Sequence, residues 1–356
     1  MNRAAQSATT AAGATVWDRY RDNFSRHLIG VARHVQTRVM RQLTESCGHR
    51  DLRLGYAPYI TLAGGAGVRL SELAAVLGIS RQACNQAVGQ IEAAGYITRR
   101  ADPADGRAKR VVLTERGRRL RRDGTRLIGE VDAQFARLIG KAAAAETART
   151  LRRLYTHLAL GPPTADATPT AYAGVAGMLP RLSDYTLKRL MQLTMARGHG
   201  ELKLSYGQVL TLVGPQGGRI QQMAAAQDVS KQAISAIACE LEALGYLRRE
   251  TDSEDARQIL LRFTAAGEAL IADSVASVDA LEHEFASIAG TRALARLNAT
   301  LRDLYHGLNL EREIFGAKNR TAVAIDLLAQ RLQRELGETA CHALAQQLLA
   351  PAAKTR

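Results

Sequence analysis

Residues Leu70–Gly117 read LSELAAVLGISRQACNQAVGQIEAAGYITRRADPADGRAKRVVLTERG, and residues Ile220–Gly267 read IQQMAAAQDVSKQAISAIACELEALGYLRRETDSEDARQILLRFTAAG. The two segments align without a gap at an offset of 150 residues, and the correspondence continues outward, as from Tyr56 to Tyr206. Solenoid repeats have periods of roughly 20–50 residues. A repeat of this length is therefore a whole domain, and we call its two occurrences copy one and copy two.

Each copy predicts the same local elements: a short helix, a tight turn, a second helix and a β-hairpin. In copy one the first helix is predicted over Leu70–Leu77, and the second begins after Ser80 in the N-cap position. The second helix has Ala83, Ala87 and Ile91 at helical spacing, which predicts one buried stripe, and it ends at Gly95. The hairpin that follows has its predicted turn over Asp102–Gly106. In copy two the matching features are Ile220–Ala226, Ser230 and Gly245. This order is typical of a winged helix-turn-helix, whose second helix enters the major groove of DNA.

The hairpin carries the motifs that identify a family. In copy one they are Gly-Tyr-Ile-Thr-Arg-Arg from Gly95, Asp-Gly-Arg from Asp105 and Leu-Thr-Glu-Arg-Gly from Leu113. In copy two they are Gly-Tyr-Leu-Arg-Arg from Gly245, Asp-Ala-Arg from Asp255 and Phe-Thr-Ala-Ala-Gly from Phe263. These motifs resemble those of the multiple-antibiotic-resistance regulators, the MarR family, whose wing carries Asp-x-Arg and ends in Leu-Thr-x-x-Gly. The resemblance covers about residues 17–310.

The resemblance implies a mainly α-helical fold with small β wings. Members of the family have one long helix before the winged domain and two after it, and these helices interlock in a dimer. The corresponding segments here are 17–47, 117–139 and 145–158, and again 180–196, 267–289 and 291–308. Because one chain carries the complete set twice, the resemblance implies two winged helix-turn-helix domains paired as a single-chain pseudo-dimer.

Composition shifts predict the domain boundaries. We expect a disordered lead over 1–16, domain one over 17–160, a linker rich in Pro, Thr and Ala over 161–176, domain two over 177–310 and a helical extension over 311–356. The extension has no counterpart after copy one, and further self-association is one expected use of it. No segment has the length and apolar character of a membrane span, and the lead lacks the apolar core of a signal peptide. These features predict a cytoplasmic protein.

Positive charge is concentrated in copy one. The chain has 48 Lys and Arg against 34 Asp and Glu, a formal net charge of +14. Residues 17–160 hold 26 basic and 13 acidic residues, whereas residues 171–310 hold 14 and 15. A clustered basic excess is the electrostatic signature of phosphate binding, although an arginine-rich composition alone is the alternative explanation. The charge favours double-stranded DNA as the partner and copy one as its dominant reader.

The predicted DNA contacts fall on the second helix and the wing of each copy. Arg can bond guanine, Gln and Asn can bond adenine, and in the resembling family the wing Arg enters the minor groove. In copy one the predicted contacts are Ser80, Arg81, Gln82, Asn85, Gln86, Arg107, Lys109 and Arg110. In copy two they are Lys231, Gln232, Ser235 and Arg257. Acidic residues surround Arg257, for which an ion pair with Asp255 is the alternative. Because the two sets differ, we predict an imperfect palindromic operator.

A small aromatic effector is the second partner that the resemblance implies. The family's pocket lies between the winged domain and the dimer helices. The residues expected there are His49, Tyr56 and Tyr59 in copy one and His199 and Tyr206 in copy two. A tyrosine offers such a ligand an apolar ring and a hydroxyl group. The alternative is that these side chains only pack the helix junction.

The sequence contains no motif of an enzyme, a cofactor site or a metal site. It has no Gly-rich phosphate loop, no Gly-x-Ser-x-Gly and no His-x-x-x-His pair. His49 and His199 recur at matching positions but lack further ligands at metal-binding spacing. The four cysteines form no Cys-x-x-Cys, so we expect reduced thiols, with Cys84 buried and Cys47 as the candidate for redox sensing.

These observations predict a sequence-specific DNA-binding transcriptional regulator, of the ligand-relieved repressor type that the resemblance implies. Two alternatives stay open at this point. In the first alternative, copy two has lost DNA binding and is a protein-interaction module. In the second, the chain is a nonspecific architectural DNA binder, an alternative that the charge alone would support. A discrete protected site on DNA distinguishes the first reading from the other two.

Overall fold

A computed structural model describes the backbone over residues 16–64, 67–103, 105–161, 174–227, 229–251 and 259–311, and side chains over the same ranges except 105–108 and 226–227. Nearly all of the predicted lead (1–16) and extension (311–356) and most of the predicted linker (161–176) lie outside these residues. So do Arg257 and the side chain of Arg107. Within the described residues no helix combines the length and apolar character needed to cross a bilayer.

Copy one contains six helices and three strands in the described residues, after a short helical segment over 16–21. They are α1 (Phe24–Glu45), a 3-10 turn (Leu54–Tyr56), α2 (Ala57–Leu62), β1 (Val68–Arg69), α3 (Leu70–Leu77), α4 (Arg81–Ala93), β2 (Ile97–Asp102), β3 (Asp105–Leu113), α5 (Glu115–Ile139) and α6 (Lys141–His157).

Copy two repeats this order of helices and strands. Its elements are α7 (Leu179–Met195), α8 (Tyr206–Val213), β4 (Gly218–Arg219), α9 (Ile220–Gln227), α10 (Lys231–Ala243), β5 (Leu247–Thr251), β6 (Ile259–Phe263), α11 (Ala265–Ala289) and α12 (Thr291–Gly307). The helix-turn-helix and hairpin predicted from each repeat are confirmed. Helix α1 starts later than predicted, because the Asn23 side chain accepts a hydrogen bond from the Arg26 amide and caps a new helix there.

Each hairpin belongs to a three-stranded antiparallel sheet, with strand orders β1-β3-β2 and β4-β6-β5. We call the β2–β3 hairpin wing one and the β5–β6 hairpin wing two. Strands β1 and β4 were not predicted, because two residues are too few for an alternating pattern to be visible. The turn predicted over Asp102–Gly106 is too long, because Asp102 pairs with Asp105 and the ladder continues to that point.

The Leu-Thr-x-x-Gly motif fixes the junction between wing one and α5. The Thr114 hydroxyl donates to the Gly95 carbonyl at 2.6 Å and accepts from the Gly117 amide at 3.1 Å, so it caps α5 while holding the end of α4. A Cβ on Gly117 would stand 1.9 Å from the Tyr96 carbonyl oxygen, which excludes any larger residue. Copy two repeats this geometry with Thr264, Gly245, Gly267 and Tyr246.

The long helices of both copies share one hydrophobic core. Buried residues of α1, α5 and α6 pack there with those of α7, α11 and α12. Phe24 meets Phe285 edge to face with ring centroids 5.9 Å apart. Aromatic pairs of this geometry stabilise a core beyond the area that they bury. Each winged region has a separate core of its own.

Each copy also sends side chains into the other's winged region. Trp17 packs in the core of copy two, where its ring lies 5.7 Å from that of Phe263. In the opposite direction, Arg181 and Lys188 of α7 reach the end of α3. Arg181 donates to the Val76 carbonyl at 2.7 Å, and Lys188 donates to that of Leu77 at 3.0 Å. The two winged regions are therefore linked through the long helices of the opposite copy.

Candidate nucleic-acid interface

Helix α4 presents most of the predicted base-reading side chains to solvent. Its inner face is set by Cys84, Val88 and Ile91, all fully buried, which confirms the apolar role predicted for Cys84. The Ser80 hydroxyl accepts from the Ala83 amide at 3.1 Å, so the predicted N-cap is confirmed. The exposed side chains on the other face are Arg81, Gln82, Asn85 and Gln86.

Asn85 differs from its neighbours because its side-chain oxygen is already engaged. Arg99 of β2 donates to that oxygen at 3.2 Å and also to the Asn85 carbonyl at 3.3 Å. The backbone amide of Arg99 donates to Glu92 at 2.9 Å. The side-chain amide group of Asn85 is thus oriented by wing one, which fixes the wing relative to α4.

Helix α10 presents fewer polar side chains to solvent than α4 does. Ser230 caps it as Ser80 caps α4, with its hydroxyl 3.1 Å from the Ala233 amide. Lys231 and Gln232 are exposed, whereas Ser235 is half-buried. Each of the two helices therefore begins with one cationic side chain, but the polar side chains around it are fewer on α10.

Wing one carries two exposed cations, Arg100 and Lys109, which we call the basic strip; because they lie in neighbouring cross-strand pairs, they point to opposite faces of the hairpin. Arg100 lies opposite Arg110, and Lys109 lies opposite Ala101, on the paired strands β2 and β3. Like charges directly opposite each other on paired strands destabilise a sheet. The arrangement is therefore suited to an anionic partner, and Arg100 is an addition to the residues predicted from the sequence.

Arg110 is less free than its predicted role requires. It is half-buried, and its guanidinium donates to the Gly67 carbonyl at 3.0 Å, next to β1. Close by, Arg69 donates to the buried carboxylate of Asp102 at 2.5 Å. This pair joins β1 to the turn end of β2 across the sheet. It was not predictable from the sequence, because the two residues are 33 positions apart and only the short strand β1 brings them together.

Wing two replaces the basic strip with acidic and apolar residues. Glu250 occupies the position of Arg100, and it pairs with Arg248 at 2.8 Å and with Arg262 at 2.7 Å. Ile259 and Leu260 occupy the positions of Lys109 and Arg110, and Ile259 is 45% exposed. Arg248 and Arg262 are therefore neutralised from within the wing, and Ile259 adds an exposed apolar side chain.

The two histidines predicted to line an effector pocket are buried and joined to the long helices. The His49 Nε2 atom lies 3.0 Å from the Asp123 carboxylate of α5, and the His199 Nε2 atom lies 3.0 Å from that of Asp273 of α11. His199 also bonds the Tyr246 hydroxyl through Nδ1 at 2.9 Å. Each of these two hydrogen bonds joins the loop that precedes a winged region to the long helix that follows that region.

The three predicted pocket tyrosines are also buried. Tyr56 packs near Tyr96, and Tyr206 donates to Glu240 at 2.7 Å. Burial, and then the Glu240 carboxylate, raises the pKa of Tyr206, while burial raises that of Tyr59. Tyr59 lines a small cavity of about 240 Å³.

A larger cavity of about 670 Å³ lies between the winged region of copy one and the long helices. Its wall is largely apolar and comes from α1, α2 and α5, together with residues 177–184 of copy two. Three arginines reach it, Arg53, Arg121 and Arg181, together with one carboxylate, Asp184. Burial raises the pKa of Asp184. Neither His49 nor Tyr56 belongs to this wall.

On the other side of the molecule, buried apolar residues occupy the positions that match two of these arginines. Ile271 stands at the position of Arg121, and Val31 stands at that of Arg181; both are buried in apolar cores. Gly30 matches Pro180, and a Cβ there would lie 2.5 Å from the Tyr305 ring. Two of the four charged groups that reach the cavity, Arg121 and Arg181, therefore have apolar, packed counterparts on the other side.

The sequence profile of the MarR family matches residues 60–108, which run from α2 into wing one. No curated protein matches the chain.

Two solved structures similar to this chain are transcriptional regulators. A transcriptional regulator of the MarR family from Rhodococcus sp. RHA1 is 23% identical, with a TM-score of 0.30, and the match covers 36% of this chain and 91% of that one. Transcriptional regulator Tm0710 from Thermotoga maritima is 20% identical, also with a TM-score of 0.30, and covers 36% and 89%.

Proposed function

We propose that the chain is a sequence-specific DNA-binding transcriptional regulator in which copy one is the dominant reader. The observation that carries this proposal is the pair of exposed cations on wing one, Arg100 and Lys109, together with the exposed polar face of α4, to which Arg99 of the same wing is hydrogen-bonded. Arg81, Gln82 and Gln86 on that face have the side chains that bond guanine and adenine edges. The MarR-family match over residues 60–108 supports the same function.

The two copies act together as a single-chain pseudo-dimer. Their common helical core and the crossing contacts of Trp17, Arg181 and Lys188 support this part of the proposal. If α4 and α10 both enter the major groove on one face of DNA, the half-sites lie about 34 Å apart. The half-sites differ in sequence, because the exposed residues of α4 and α10 differ.

The regulator is a repressor that a small ligand releases from DNA, and the 670 Å³ cavity is the ligand site. Its apolar wall and its arginines fit an aromatic ring that bears a carboxylate. Because Ile271 and Val31 replace two of the arginines on the other side, one such ligand binds per chain. Calorimetry with aromatic acids tests the stoichiometry, and Arg121→Gln is expected to weaken binding, whereas the exposed Arg119→Gln on the same helix serves as control.

Footprinting of the full chain on DNA upstream of its own coding region tests the main proposal. A discrete protected site with two unlike half-sites is expected. Arg81→Ala with Gln82→Ala relaxes the preference in one half-site, and Lys231→Ala with Gln232→Ala affects the other more mildly. Broad, salt-sensitive coverage without a discrete site would instead identify a nonspecific binder.

A second candidate function concerns copy two alone. Ile259 at the edge of wing two and Val229 before α10 are 45% and 44% exposed, where a DNA-binding surface is normally polar and basic. These two side chains favour contact with a protein surface. Protection confined to a single half-site, unchanged by Lys231→Ala, would support this function over DNA reading by copy two.

A further inference from the structure

Two histidines and an aspartate from opposite ends of the described chain meet beside α1. Asp22 precedes α1, His27 lies in its first two turns, and His306 lies in the last turn of α12. Each offers one metal-ligand atom, and the three atoms lie within 4.8 Å of one another. His27 is 2% exposed, and its Nε2 atom lies 2.8 Å from a carboxylate oxygen of Asp22.

The hydrogen bonding of these histidines is incomplete. The Nδ1 atoms of His27 and His306 are both buried, and neither has a hydrogen-bond partner within the described part of the chain. A buried polar atom without a partner costs about 1–3 kcal/mol. The rings lie 5.7 Å apart at 63°, so they approach edge to face and are not stacked. Such a cluster is poorly explained by packing alone.

We propose that Asp22, His27 and His306 bind one divalent transition-metal ion of the zinc type, with water as a further ligand. Two imidazoles and one carboxylate are a donor set that zinc accepts, and three protein ligands plus water form a common tetrahedral arrangement. With zinc bonds of about 2.0–2.2 Å, tetrahedral donors lie roughly 3.4 Å apart, so a shift of up to about 1.4 Å in the farthest side chain completes the set.

The local charge and ionisation are compatible with a bound cation. The hydrogen bond from His27 lowers the pKa of Asp22, and burial lowers the pKa of His306. Glu311 adds a negative charge near His306, and Arg302 adds a positive one. Removal of the Arg302 charge should therefore tighten metal binding.

The donor set occurs once per chain. The positions that match Asp22, His27 and His306 in the other copy hold Tyr172, Gly177 and Thr156, none of which is a good zinc ligand. The ion would join the start of α1 to the end of α12, which are adjacent in the common helical core. Its binding therefore stabilises one side of that core and leaves the other side unchanged.

Metal titration of the untagged full chain tests the proposal, after removal of bound metal with a chelator. One Zn²⁺ per chain is expected to compete with a chromophoric chelator, and Co²⁺ is expected to give visible ligand-field absorption. His306→Gln and Asp22→Asn should each weaken binding by ~10-fold or more. Asp22 is exposed, so its variant folds even where His27→Gln does not. Arg302→Gln should bind more tightly than the native chain.

Two histidines outside the cluster provide matched controls, His283 on α11 and His342 in the C-terminal segment. His283→Gln and His342→Gln are expected to retain the native affinity. Zinc should also raise the melting temperature of the native chain and of both controls, but not that of His306→Gln. The proposal is overturned if no zinc binds, if His306→Gln and Asp22→Asn bind as the native chain does, or if binding is lost with His342.

Discussion

Wing one and wing two have the same backbone and opposite surface chemistry. Both are antiparallel hairpins in three-stranded sheets, and in both a threonine links the preceding helix to the next one. Arg100 and Lys109 make wing one basic, whereas Glu250 and Ile259 make wing two acidic and apolar at the same positions. The residues that maintain the fold are thus shared between the copies, and those that would meet a partner are not.

Helices α4 and α10 differ less between the copies than the wings do. Ser80 and Ser230 cap them with hydrogen bonds of equal length, and each helix begins with one basic residue and one glutamine. A difference in DNA affinity between the copies is therefore expected to come mainly from the wings. Four experiments, in order of expected effect, test this comparison.

Exchange of the strip residues should produce the largest effect. Arg100→Glu with Lys109→Ile gives wing one the residues of wing two, removes two cations and adds one anion. DNA binding should fall by ~30-fold or more, and the slope of log K against log salt should decrease by ~2. Titration of one defined operator at two salt concentrations measures both quantities. The reverse exchange, Glu250→Arg with Ile259→Lys, should strengthen binding; a loss there would show that wing two faces away from DNA.

The wing arginines of the Asp-x-Arg motifs should give the next largest difference. Arg107→Ala is expected to weaken binding by about 1–3 kcal/mol if this side chain enters the minor groove. Arg257→Ala should cost clearly less, because Asp252, Glu254 and Asp255 offset its charge. Both variants are titrated on the same operator. Equal losses would contradict copy one as the dominant reader.

The N-caps of α4 and α10 should show no difference between the copies. Ser80→Ala and Ser230→Ala each remove one hydroxyl that accepts from an amide at 3.1 Å. Each variant should lose about 1 kcal/mol of unfolding free energy. Chemical denaturation of both variants measures the losses. Strongly unequal values would mean that the two copies differ in the stability of their folds as well as in surface charge.

The smallest expected effect, a change of about 1 kcal/mol or less in the free energy of unfolding, comes from two carboxyl groups at matching positions of the two copies. Burial raises the pKa of Asp132 and that of Glu282, which stands at the same position in copy two. A carboxyl whose pKa is raised on folding stabilises the fold at low pH, and that contribution is lost as the pH rises through the folded pKa. Asp132→Asn should therefore gain melting temperature relative to the native chain as the pH rises from about 4 to 8.

Glu282→Gln is the control for that pair. Glu282 also accepts a hydrogen bond from Arg19 at 3.3 Å, which offsets part of the cost of its buried charge. The gain at high pH should therefore be smaller for Glu282→Gln than for Asp132→Asn. If the difference in melting temperature between Asp132→Asn and the native chain did not change with pH, the Asp132 carboxyl would not titrate as inferred.

The helices and hairpins were predictable because their signals are local. Ser80, Gly95 and the Thr114–Gly117 cap each act over fewer than five residues, and the structure confirms the elements that they delimit. Contacts between distant segments were not predictable. The Arg69–Asp102 pair requires the two-residue strand β1, which has no sequence pattern of its own.

The site was predictable only in part. The exposed polar residues of α4 were predicted, but its buried face was predicted only in part: Ile91 is buried as expected, whereas Ala83 is exposed, and Cys84 and Val88 complete that face. Arg100 was read from the sequence only as part of a strand, since its exposure depends on the register of β2 against β3. Whether His49 and Tyr56 would lie in a cavity or in a packed core depends on how long helices meet, and a sequence pattern does not give that distance.

The crossing contacts of α7 and the N-terminal segment have a consequence for inheritance. A regulator assembled from two identical chains receives every mutation twice, so its two halves cannot diverge. Here the halves are encoded separately, and a change at Glu250 or Ile271 affects one side only. Dilution cannot separate the halves either, since a covalent backbone joins them. A protein of this kind can keep one half for an old task while the other acquires a new one.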